Sequence, residues 1–312
     1  MKALVTGCAG FIGSHLVERL LSQNYEVIGI DSFTNYYSRH IKLSNIKNAQ
    51  ANKNFSIIDD DILEFREFPD VDYIFHQAAQ PGVRMSWGKD FEIYLKDNVL
   101  VTQKLLEVYK DKKIKKFIYA SSSSVYGDAS LPLNEERLPK PISPYGVSKL
   151  AAENLCYLYY QNFNIPVVSL RYFTVYGPRQ RPDMAINKFA NAILDNEEIS
   201  IYGDGEQKRD FTFIDDVIQA NIMAARSSLA GEVYNVGGES NISINEVISL
   251  LQEIICKKAN IKYIEKQKGD VNHTLADITK IKKQLQWSPF TKIEKGLENY
   301  IIWLINQLKY QS

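Results

Sequence analysis

The 312-residue sequence predicts an α/β fold: a doubly wound parallel sheet followed by a smaller C-terminal α/β domain. Short apolar runs alternate with amphipathic segments of helical length through the first half of the chain, which is typical of βαβ units. From about residue 178 the pattern breaks into shorter pieces. Because no repeat or flexible linker separates the two parts, we expect the second domain to grow directly out of the first.

The predicted elements follow one another in a regular order. Strands are expected at "ALVT", "EVIGI", "FSII", "DYIFHQAA", "KFIYAS" and "VVSLRYF", with helices at 11–23, 92–110 and 144–163 and a loop after "EVIGI". Helical periodicity returns at 183–195, 214–227, 243–256 and 293–309, between the strand candidates "EISIYG", "VYNVG" and "IKYIE". We expect a first domain of residues 1–177 that also receives 211–236, and a second domain of 178–210 and 237–312.

Composition narrows the class of protein. Charged residues make up 24% of the chain, with 37 basic against 37 acidic, so the positive patch that a phosphate backbone attracts is not indicated and no nucleic-acid partner is expected. No run of 18 apolar residues predicts a membrane span. The start "MKALVTG" lacks a charged leader, and three widely spaced cysteines fit reduced thiols. We therefore expect a cytoplasmic protein.

A glycine-rich turn lies between the first strand and the first helix. In "TGCAGFIG", Gly7, Gly10 and Gly13 follow a G-x-x-G-x-x-G spacing, which serves either close packing or the approach of a dinucleotide pyrophosphate to a helix N-terminus. Asp31 ends the second strand, where a carboxylate binds both ribose hydroxyls and repels a 2′-phosphate. Together these features predict a Rossmann-type domain that prefers NAD to NADP.

A second group of residues indicates acid–base chemistry. In "SPYGVSK", Ser143 is predicted to cap a helix that begins at Pro144, which places Tyr145 and Lys149 one turn apart on the same face. A nearby cation, the helix N-terminus and an oxidised nicotinamide would all stabilise a phenolate, whose ordinary pKa is about 10. Tyr-x-x-x-Lys is a common chance pattern, but the serines at 121–124, at the end of a strand in a nucleotide-binding sheet, favour the chemical interpretation.

These motifs, with "HQAAQPGVR", "RYFTVYGP", "GDGEQKRDFTFIDDV" and "GDVNHTLAD", resemble the extended short-chain dehydrogenase/reductases, within them the nucleotide-sugar 4-epimerases and most closely those acting on UDP-glucuronate. The resemblance implies bound NAD, a UDP-sugar or dTDP-sugar substrate, and a catalytic set of Ser122, Tyr145 and Lys149. Tyr145 would take the proton of the sugar 4-hydroxyl while C4 passes hydride to NAD. The resulting 4-ketone would turn and take the hydride back on its other face, which inverts C4.

The resemblance also implies the residues of both binding sites. The cofactor-binding set is Gly7, Gly10, Phe11, Ile12, Gly13, Asp31, Asn35, Asp61, Ile62, Ala78, Ala79, Asn98, Tyr145 and Lys149. The substrate-binding set is Arg84, Ser86, Ser122, Thr174, Arg181, Lys188, Ile201, Tyr202, Gln207, Arg209, Asp270 and Thr274. Arg209 is the expected phosphate partner, because a guanidinium binds phosphate oxygens in a fork.

The run "RQRPDM" and Thr174, where many 4-epimerases have asparagine, indicate the substrate. Arg181 and the Thr174 hydroxyl would bind a sugar carboxylate, with Arg84 and Ser86 at the same end. Thr274, where some epimerases carry tyrosine, would leave room for a glucuronate or an N-acetylated sugar. UDP-glucuronate to UDP-galacturonate is therefore the first hypothesis. If Arg179 and Arg181 meet only pyrophosphate or solvent, the substrate would be UDP-glucose or UDP-N-acetylglucosamine.

Other functions remain as weaker hypotheses. Related dehydratases carry an Asp-Glu pair where this chain has Ser123 and Ser124, and related decarboxylases carry a glutamate at the position of Ser124. An NAD-binding sensor would lose Tyr145 or Lys149. The four histidines lack metal-ligand spacing, so no metal is expected. Helices 92–110 and 144–163 resemble those of a four-helix dimer interface, to which the second helix would contribute the aromatic residues Tyr157, Tyr159, Tyr160 and Phe163.

Overall fold

The computed structural model describes residues 1–265, 271 and 273–309. The elements of the first half are β1 (Lys2–Thr6), α1 (Phe11–Ser22), β2 (Glu26–Asp31), α2 (Arg39–Gln50), β3 (Phe55–Asp59), β4 (Tyr73–His76), α3 (Phe91–Tyr94), α4 (Val101–Tyr109), β5 (Lys116–Ser122), α5 (Pro144–Phe163), β6 (Val167–Tyr172) and β7 (Thr174–Tyr176). A π-helical stretch, Leu95–Leu100, joins α3 to α4.

The second half continues with shorter elements. They are α6 (Ala185–Asp195), β8 (Glu198–Tyr202), β9 (Lys208–Phe213), α7 (Ile214–Arg226), β10 (Glu232–Val236), β11 (Asn241–Ser243), α8 (Ile244–Ile255), β12 (Asn260–Ile264), α9 (Thr279–Leu285) and α10 (Ile293–Lys309). No helix among the described residues is both long enough and apolar enough to span a bilayer.

A parallel sheet of seven strands, in the order β10-β6-β5-β4-β1-β2-β3, forms the centre of the fold. Its strands are largely buried, as expected when helices cover both faces. The carboxyl ends of five strands, Thr6, Asp31, His76, Ser122 and Tyr172, therefore lie along one edge of the sheet. This architecture confirms the predicted Rossmann-type α/β fold.

Two smaller sheets lie in the second half of the chain. One has the order β11-β9-β7 and the other pairs β12 with β8. The predicted helices and strands of this half are all present within a few residues. The predictions omitted β7, β11 and α9, which are short and therefore offer little periodicity to recognise. They also omitted β9, a strand of six residues that begins with the three charged residues Lys208, Arg209 and Asp210.

The loop predicted after the second strand was wrong, because this segment contains α2. Most of α2 is polar, and it buries only Lys42, Asn45, Ile46 and Ala49. An apolar stripe is the main signal of a surface helix, and α2 has almost none. The start of α5, in contrast, is as predicted: Pro144 is its first residue, and the Ser143 hydroxyl accepts a 3.1 Å hydrogen bond from the Gly146 N–H.

Candidate active site

A cavity of about 230 Å³ lies at the carboxyl edge of the seven-stranded sheet. Ligands of doubly wound folds bind at this edge. The cavity is lined by Gly7, Gly10, Phe11, Ile12, Gly13, Ile30, Asp31, Ser32, Thr34, Tyr36, Tyr37, Lys42, Asp60, Asp61, Ile62, Gln77, Ala78, Ala79, Gln80, Pro81, Asp97, Val101, Ala120, Ser121, Tyr145, Lys149, Tyr172 and Arg181.

The three glycines of the first turn meet different demands. A Cβ at Gly7, where φ is +64°, would come within 2.9 Å of the Ala78 backbone, and one at Gly13 would overlap the Gly7 carbonyl. Gly10 is less crowded, with only the Gly7 oxygen at 3.2 Å from such a Cβ. Gly10 has no side chain to cap α1, so the first N–H groups of the helix remain available to an anion at the cavity wall. Close packing and pyrophosphate binding thus both fit this turn.

Asp31 is fixed by backbone donors at the end of β2. Its carboxylate accepts hydrogen bonds from the N–H groups of Ala9 (3.1 Å) and Phe33 (2.8 Å). The ammonium of Lys42, on α2, lies 3.8 Å from the same carboxylate and donates to the Thr34 carbonyl at 3.1 Å. Burial lowers the pKa of Lys42, and Asp31 opposes that shift. Sequence reasoning missed Lys42 because its segment was predicted to be a loop.

The other predicted cofactor residues divide into two groups. Asp61, Ile62, Ala78 and Ala79 line the cavity. Two predicted residues lie off the wall. Asn35 is exposed, and its neighbours Thr34 and Tyr36 line the cavity instead.

Asn98, the second of them, is buried behind the wall. Its side-chain oxygen accepts from the Gln80 N–H at 2.7 Å, and its amide donates to the Gln80 carbonyl and to Ser148. Asn98 therefore holds a wall residue in place and does not line the cavity itself.

The predicted catalytic residues meet at the ends of β5 and α5. The Ser122 hydroxyl accepts from the Ser124 N–H at 3.2 Å and lies near the Tyr145 phenol. Burial raises the pKa of Tyr145, while the neighbouring Ser122 hydroxyl and the positive charge of Arg181 oppose the rise. Burial also lowers the pKa of Lys149 to about 8, and Cys156 and Glu153 oppose that shift. A buried phenol and a buried ammonium with displaced pKa values are typical of an acid–base site.

Both arginines of "RQRPDM" are paired with carboxylates of the chain. Arg179, in the left-handed conformation at φ +63°, donates to Glu18 on α1 at 2.7 Å. Arg181 lines the cavity and donates twice to Asp183, at 2.9 and 3.1 Å. Tyr36, from the loop after β2, donates to the same Asp183 at 3.0 Å. Arg179 and Glu18 are far apart in the chain, so no local pattern indicates their pairing, whereas Asp183 lies only two residues after Arg181, within the run "RQRPDM".

Arg84, Tyr202 and Gln207 are in contact with one another through Tyr202. The Arg84 guanidinium lies 4.2 Å from the centre of the Tyr202 ring, and the Gln207 amide donates to the Tyr202 carbonyl at 3.0 Å. Ser86, predicted at the same end, is buried, and its hydroxyl donates to the Val83 carbonyl at 2.6 Å. The Ser86 hydroxyl thus stabilises its own turn.

The remaining residues of the predicted substrate set that the structure describes lie off the wall of the main cavity. Arg209 donates to the carbonyls of Val271 and Lys208, and the Thr274 hydroxyl accepts from the Asp210 N–H at 3.2 Å. Thr174 is half-buried in β7, Ile201 is buried in β8, and Lys188 is exposed on α6. Asp270 lies outside the described residues.

The histidines hold structural positions. His76 is buried between the hydroxyls of Thr6 (2.7 Å) and Thr102 (2.9 Å), and His15 contacts the Phe11 carbonyl. Within the described ranges, no group of three or more His, Cys, Asp and Glu side chains has the arrangement of a metal site.

Comparison with known proteins identifies the family. Residues 3–237 match the NAD dependent epimerase/dehydratase family. The chain belongs to this family. It is 44% identical over 97% of its length to a Bacillus subtilis protein named uncharacterized UDP-glucose epimerase YtcB, of which it covers 98%. It is also 40% identical over 96% of its length to a UDP-glucuronate 4-epimerase of Thermodesulfobacterium geofontis, of which it covers 95%.

A solved structure supports the same assignment of the epimerase/dehydratase family. The fold matches UDP-glucuronic acid 4-epimerase from Bacillus cereus, crystallised with UDP-glucuronic acid and NAD. The TM-score is 0.94 and the identity 46%, with 99% of this chain and 100% of the other covered. The family predicted from the sequence motifs is therefore confirmed.

Proposed function

We propose that this protein is an NAD-dependent epimerase that inverts C4 of a UDP-sugar through a transient 4-keto intermediate, with UDP-glucuronate as the preferred substrate. The observation that carries the proposal is the placement of Tyr145 and Lys149, one helical turn apart on α5, in the wall of a cavity that begins at a glycine turn, with Ser122 near the phenol. The relatives named for 4-epimerisation of UDP-sugars, similar along the whole chain, support the same chemistry.

The residues of the cavity fit NAD. The uncapped first turn of α1 would hold the pyrophosphate, and Asp31, which two N–H groups fix in the cavity wall, would accept hydrogen bonds from a ribose diol. When bound, NAD supplies the oxidation of the sugar carbon and its later reduction from the opposite face. The chain's own residues bind and orient both molecules and move the proton of the 4-hydroxyl.

Tyr145 is the proposed general base. Its phenolate oxygen takes the proton of the 4-hydroxyl, and the neighbouring Ser122 hydroxyl, which lowers the pKa of the phenol, stabilises the negative charge. The positive charge of Arg181 and the N-terminus of α5 act in the same direction, against the burial that raises the pKa of the phenol. Lys149, one turn further along α5, places an ammonium in the same cavity wall. The same phenol returns the proton to the 4-oxygen when the ketone is reduced, so no net proton is consumed.

Arg181 is the proposed partner of the sugar carboxylate. It lines the cavity and is oriented by two hydrogen bonds to Asp183. A charge-assisted bond from Arg181 and a neutral one from Thr174 would compensate the lost hydration of the carboxylate. Firm binding matters because the 4-keto intermediate is a β-keto acid, which loses carbon dioxide when its carboxylate turns out of the carbonyl plane. Ser123 and Ser124, in place of the acids of the dehydratases and decarboxylases, favour epimerisation alone.

Three UDP-sugars test the substrate. Purified protein is incubated with UDP-glucuronate, UDP-glucose and UDP-N-acetylglucosamine, and formation of each 4-epimer is followed. We expect the highest kcat/KM for UDP-glucuronate, and Arg181→Lys to lower it at least tenfold more than that for UDP-glucose. Arg226→Lys, at the surface end of α7, is the matched control.

Faster turnover of UDP-glucose would favour the second candidate, a UDP-glucose 4-epimerase, for which the similarity to YtcB is the supporting observation. A chain that purifies without NAD and epimerises none of the three sugars would instead be a sensor.

We also propose a homodimer formed through α3, α4 and α5. Apolar side chains on these helices and the π-helical stretch are exposed, namely Ile93, Leu95, Leu100, Val147, Tyr157, Leu158 and Phe163. Tyr159, also predicted for this surface, was a wrong choice because it is buried within the chain and donates to Glu107 at 2.6 Å. We expect sedimentation to give a dimer at micromolar concentration, and Leu158→Glu to give a monomer; a monomeric parent protein would reject this proposal.

Two further assignments remain proposals. We propose that residues 1–177 and 211–236 form the cofactor half and that 178–210 and 237–312 form the half that binds the nucleotide-sugar. Three cysteines without a disulfide, Cys8, Cys156 and Cys256, support a cytoplasmic location.

A further inference from the structure

A buried ion pair lies directly behind the proposed acid–base residues. Glu153, one turn after Lys149 on α5, is only 5% exposed. Its carboxylate accepts from Arg171 on β6 at 2.6 and 3.1 Å, and from the Ser121 hydroxyl on β5 at 2.5 Å. Three elements are therefore joined at one carboxylate.

The same network reaches the turn after β5 and the edge strand β10. Arg171 donates to the Tyr126 hydroxyl at 2.8 Å, and its guanidinium lies 4.7 Å from the centre of the Tyr126 ring. Tyr126 then donates to the Asn235 side chain at 2.7 Å. Ser121 and Arg171 are also direct partners in the pairing of β5 with β6. Each charged group of the network is thus bonded on several sides.

The position of this network indicates a role beyond stability. Removing two charges from water costs free energy, and an apolar pair of the same volume is often as stable, so a buried ion pair is weak evidence for stabilisation. Residues two apart on a strand face the same side of the sheet. On β5, Ser121 bonds to Glu153, and the phenol of Tyr119, two residues earlier, donates to the Lys149 carbonyl at 3.4 Å. Two side chains of β5 therefore hold α5 at two points, four residues or about 6 Å apart along the helix.

We propose that Glu153 is a positioning residue, which with Ser121 and Arg171 fixes the rotation and height of α5 so that Tyr145 and Lys149 meet the reacting sugar. This inference rests on the proposed epimerase function. Two points of attachment define both the rotation of a helix about its axis and its shift along the axis. A misplacement of about 1 Å lowers the rate of a positioned reaction on the order of 100-fold, although binding is retained.

The charge of Glu153 provides a readout that a purely structural residue would lack. The titratable groups near the Lys149 ammonium are His76 from β4, Tyr119 from β5, and Cys156 and Glu153 on α5 itself, and Tyr145 lines the same cavity one turn earlier. Among them Glu153 supplies a carboxylate that favours the charged form of Lys149. Without it, and with Arg171 left unpaired, the ammonium would lose its proton at a lower pH.

The experiment compares Glu153→Gln, Glu153→Asp and Ser121→Ala with the parent protein in the reaction with UDP-glucuronate. We expect Glu153→Gln to lower kcat by about 10- to 100-fold, while KM and the affinity for NAD stay within about threefold of the parent values. We also expect the decline of kcat at high pH, its alkaline limb, to begin about one pH unit lower. Glu153→Asp keeps the charge, so the limb returns to its parent position while kcat recovers in part. Glu107→Gln, on α4 at a carboxylate that also accepts from a tyrosine, is the matched control.

Ser121→Ala keeps the proposal testable if Glu153→Gln fails to fold. It removes one hydrogen bond and no charge, so we expect kcat to fall about three- to tenfold with the alkaline limb unmoved. The proposal would be overturned if Glu153→Gln kept the parent kcat and the parent position of the alkaline limb. It would also be overturned if Ser121→Ala lost as much affinity for NAD as it lost kcat. A chemical readout separates this inference from the proposed function. The pH dependence of Lys149 acylation by acetic anhydride, followed by mass spectrometry, reports the Lys149 pKa even if no UDP-sugar reacts. An unmoved Lys149 pKa in Glu153→Gln would then count against the electrostatic part of the role.

Discussion

The phenol of Tyr36 donates a 3.0 Å hydrogen bond to the carboxylate of Asp183, 147 residues further along the chain. The loop after β2, which lines the cofactor end of the cavity, is thereby joined to the segment that carries Arg181. Burial, followed by the charge of Asp183, raises the pKa of Tyr36 to about 12, so the phenol remains a donor at any physiological pH. The bond therefore joins these two segments of the chain beside the proposed NAD site.

We expect Tyr36→Phe to release NAD about three- to tenfold faster than the parent protein, because one hydrogen bond to a charged group is lost. The NAD-loaded protein is diluted, and dissociation of NAD is followed by the change in protein fluorescence. Tyr37→Phe is the matched control, since the neighbouring tyrosine lines the same cavity but makes no such bond within the described part of the chain. Equal release rates for the parent and Tyr36→Phe would show that the bond does not retain the cofactor.

The second prediction concerns Tyr145. We expect Tyr145→Phe to lower kcat by a factor on the order of 10² to 10⁴ while NAD and UDP-sugar still bind, because the ring remains and only the proton-transferring oxygen is lost. Ser122→Ala should be milder, since water partly replaces a hydroxyl. Steady-state rates and calorimetric binding constants measure the two effects, with exposed Tyr157→Phe as the control. Near-normal turnover in Tyr145→Phe would exclude the role of general base.

A third prediction concerns the size of the sugar site. Thr274 is 6% exposed, and its hydroxyl accepts from the backbone of Asp210, so the residue lies tightly in place. We expect Thr274→Tyr to lower kcat/KM for UDP-N-acetylglucosamine and UDP-glucuronate more than for UDP-glucose. Thr274→Ser, which keeps the hydroxyl, controls for the lost hydrogen bond. If the bulkier sugars react as well as before in a folded Thr274→Tyr protein, this residue does not limit the substituent.

The cap of α5 gives a prediction for stability. Ser143 is buried and accepts from the Gly146 N–H at the turn that carries Tyr145. We expect Ser143→Ala to lower the free energy of unfolding by about 1 kcal/mol, and Ser143→Thr to lower it less, because threonine also caps helices. Urea denaturation followed by circular dichroism measures both. A threonine variant as unstable as the alanine variant would mean that packing, and not the cap, dominates at this position.

His76 gives a prediction for pH. Burial, with the positive charge of Lys149, lowers its pKa to about 3, against about 6.5 in an unfolded chain. The unfolded chain therefore binds one more proton between these values, so the contribution of His76 to stability is full above pH 6.5 and is lost as the pH falls toward 3. As the pH falls from 6.5 to 4, we expect the free energy of unfolding of His76→Gln to decrease less steeply than that of the parent protein. The two slopes should differ by up to about 1.4 kcal/mol per pH unit.

Local patterns account for the parts of the site that were predictable. The glycine turn and the Ser143–Pro144 start of α5 depend on backbone geometry within a few residues, so they can be recognised in the sequence. The pairing of Arg179 with Glu18 and of Tyr36 with Asp183 depends on how distant segments pack, which no local pattern encodes. Lys42 was hidden for a related reason, because α2 is held by tertiary contacts and lacks a clear apolar stripe. Glu153 has the appearance of an ordinary surface residue until β6 brings Arg171 to it.

The strand β10 lies at the edge of the seven-stranded sheet beside β6, although β7, α6, β8, β9 and α7 intervene in the chain. A growing polypeptide that has just left the ribosome as far as residue 177 would therefore present β6 with an open row of N–H and C=O groups. Such an edge pairs readily with other chains. The seven-stranded sheet is complete only after Val236 has emerged, so a pause in translation between these points would expose the protein to aggregation, and a truncated 1–177 fragment should not fold into a stable sheet.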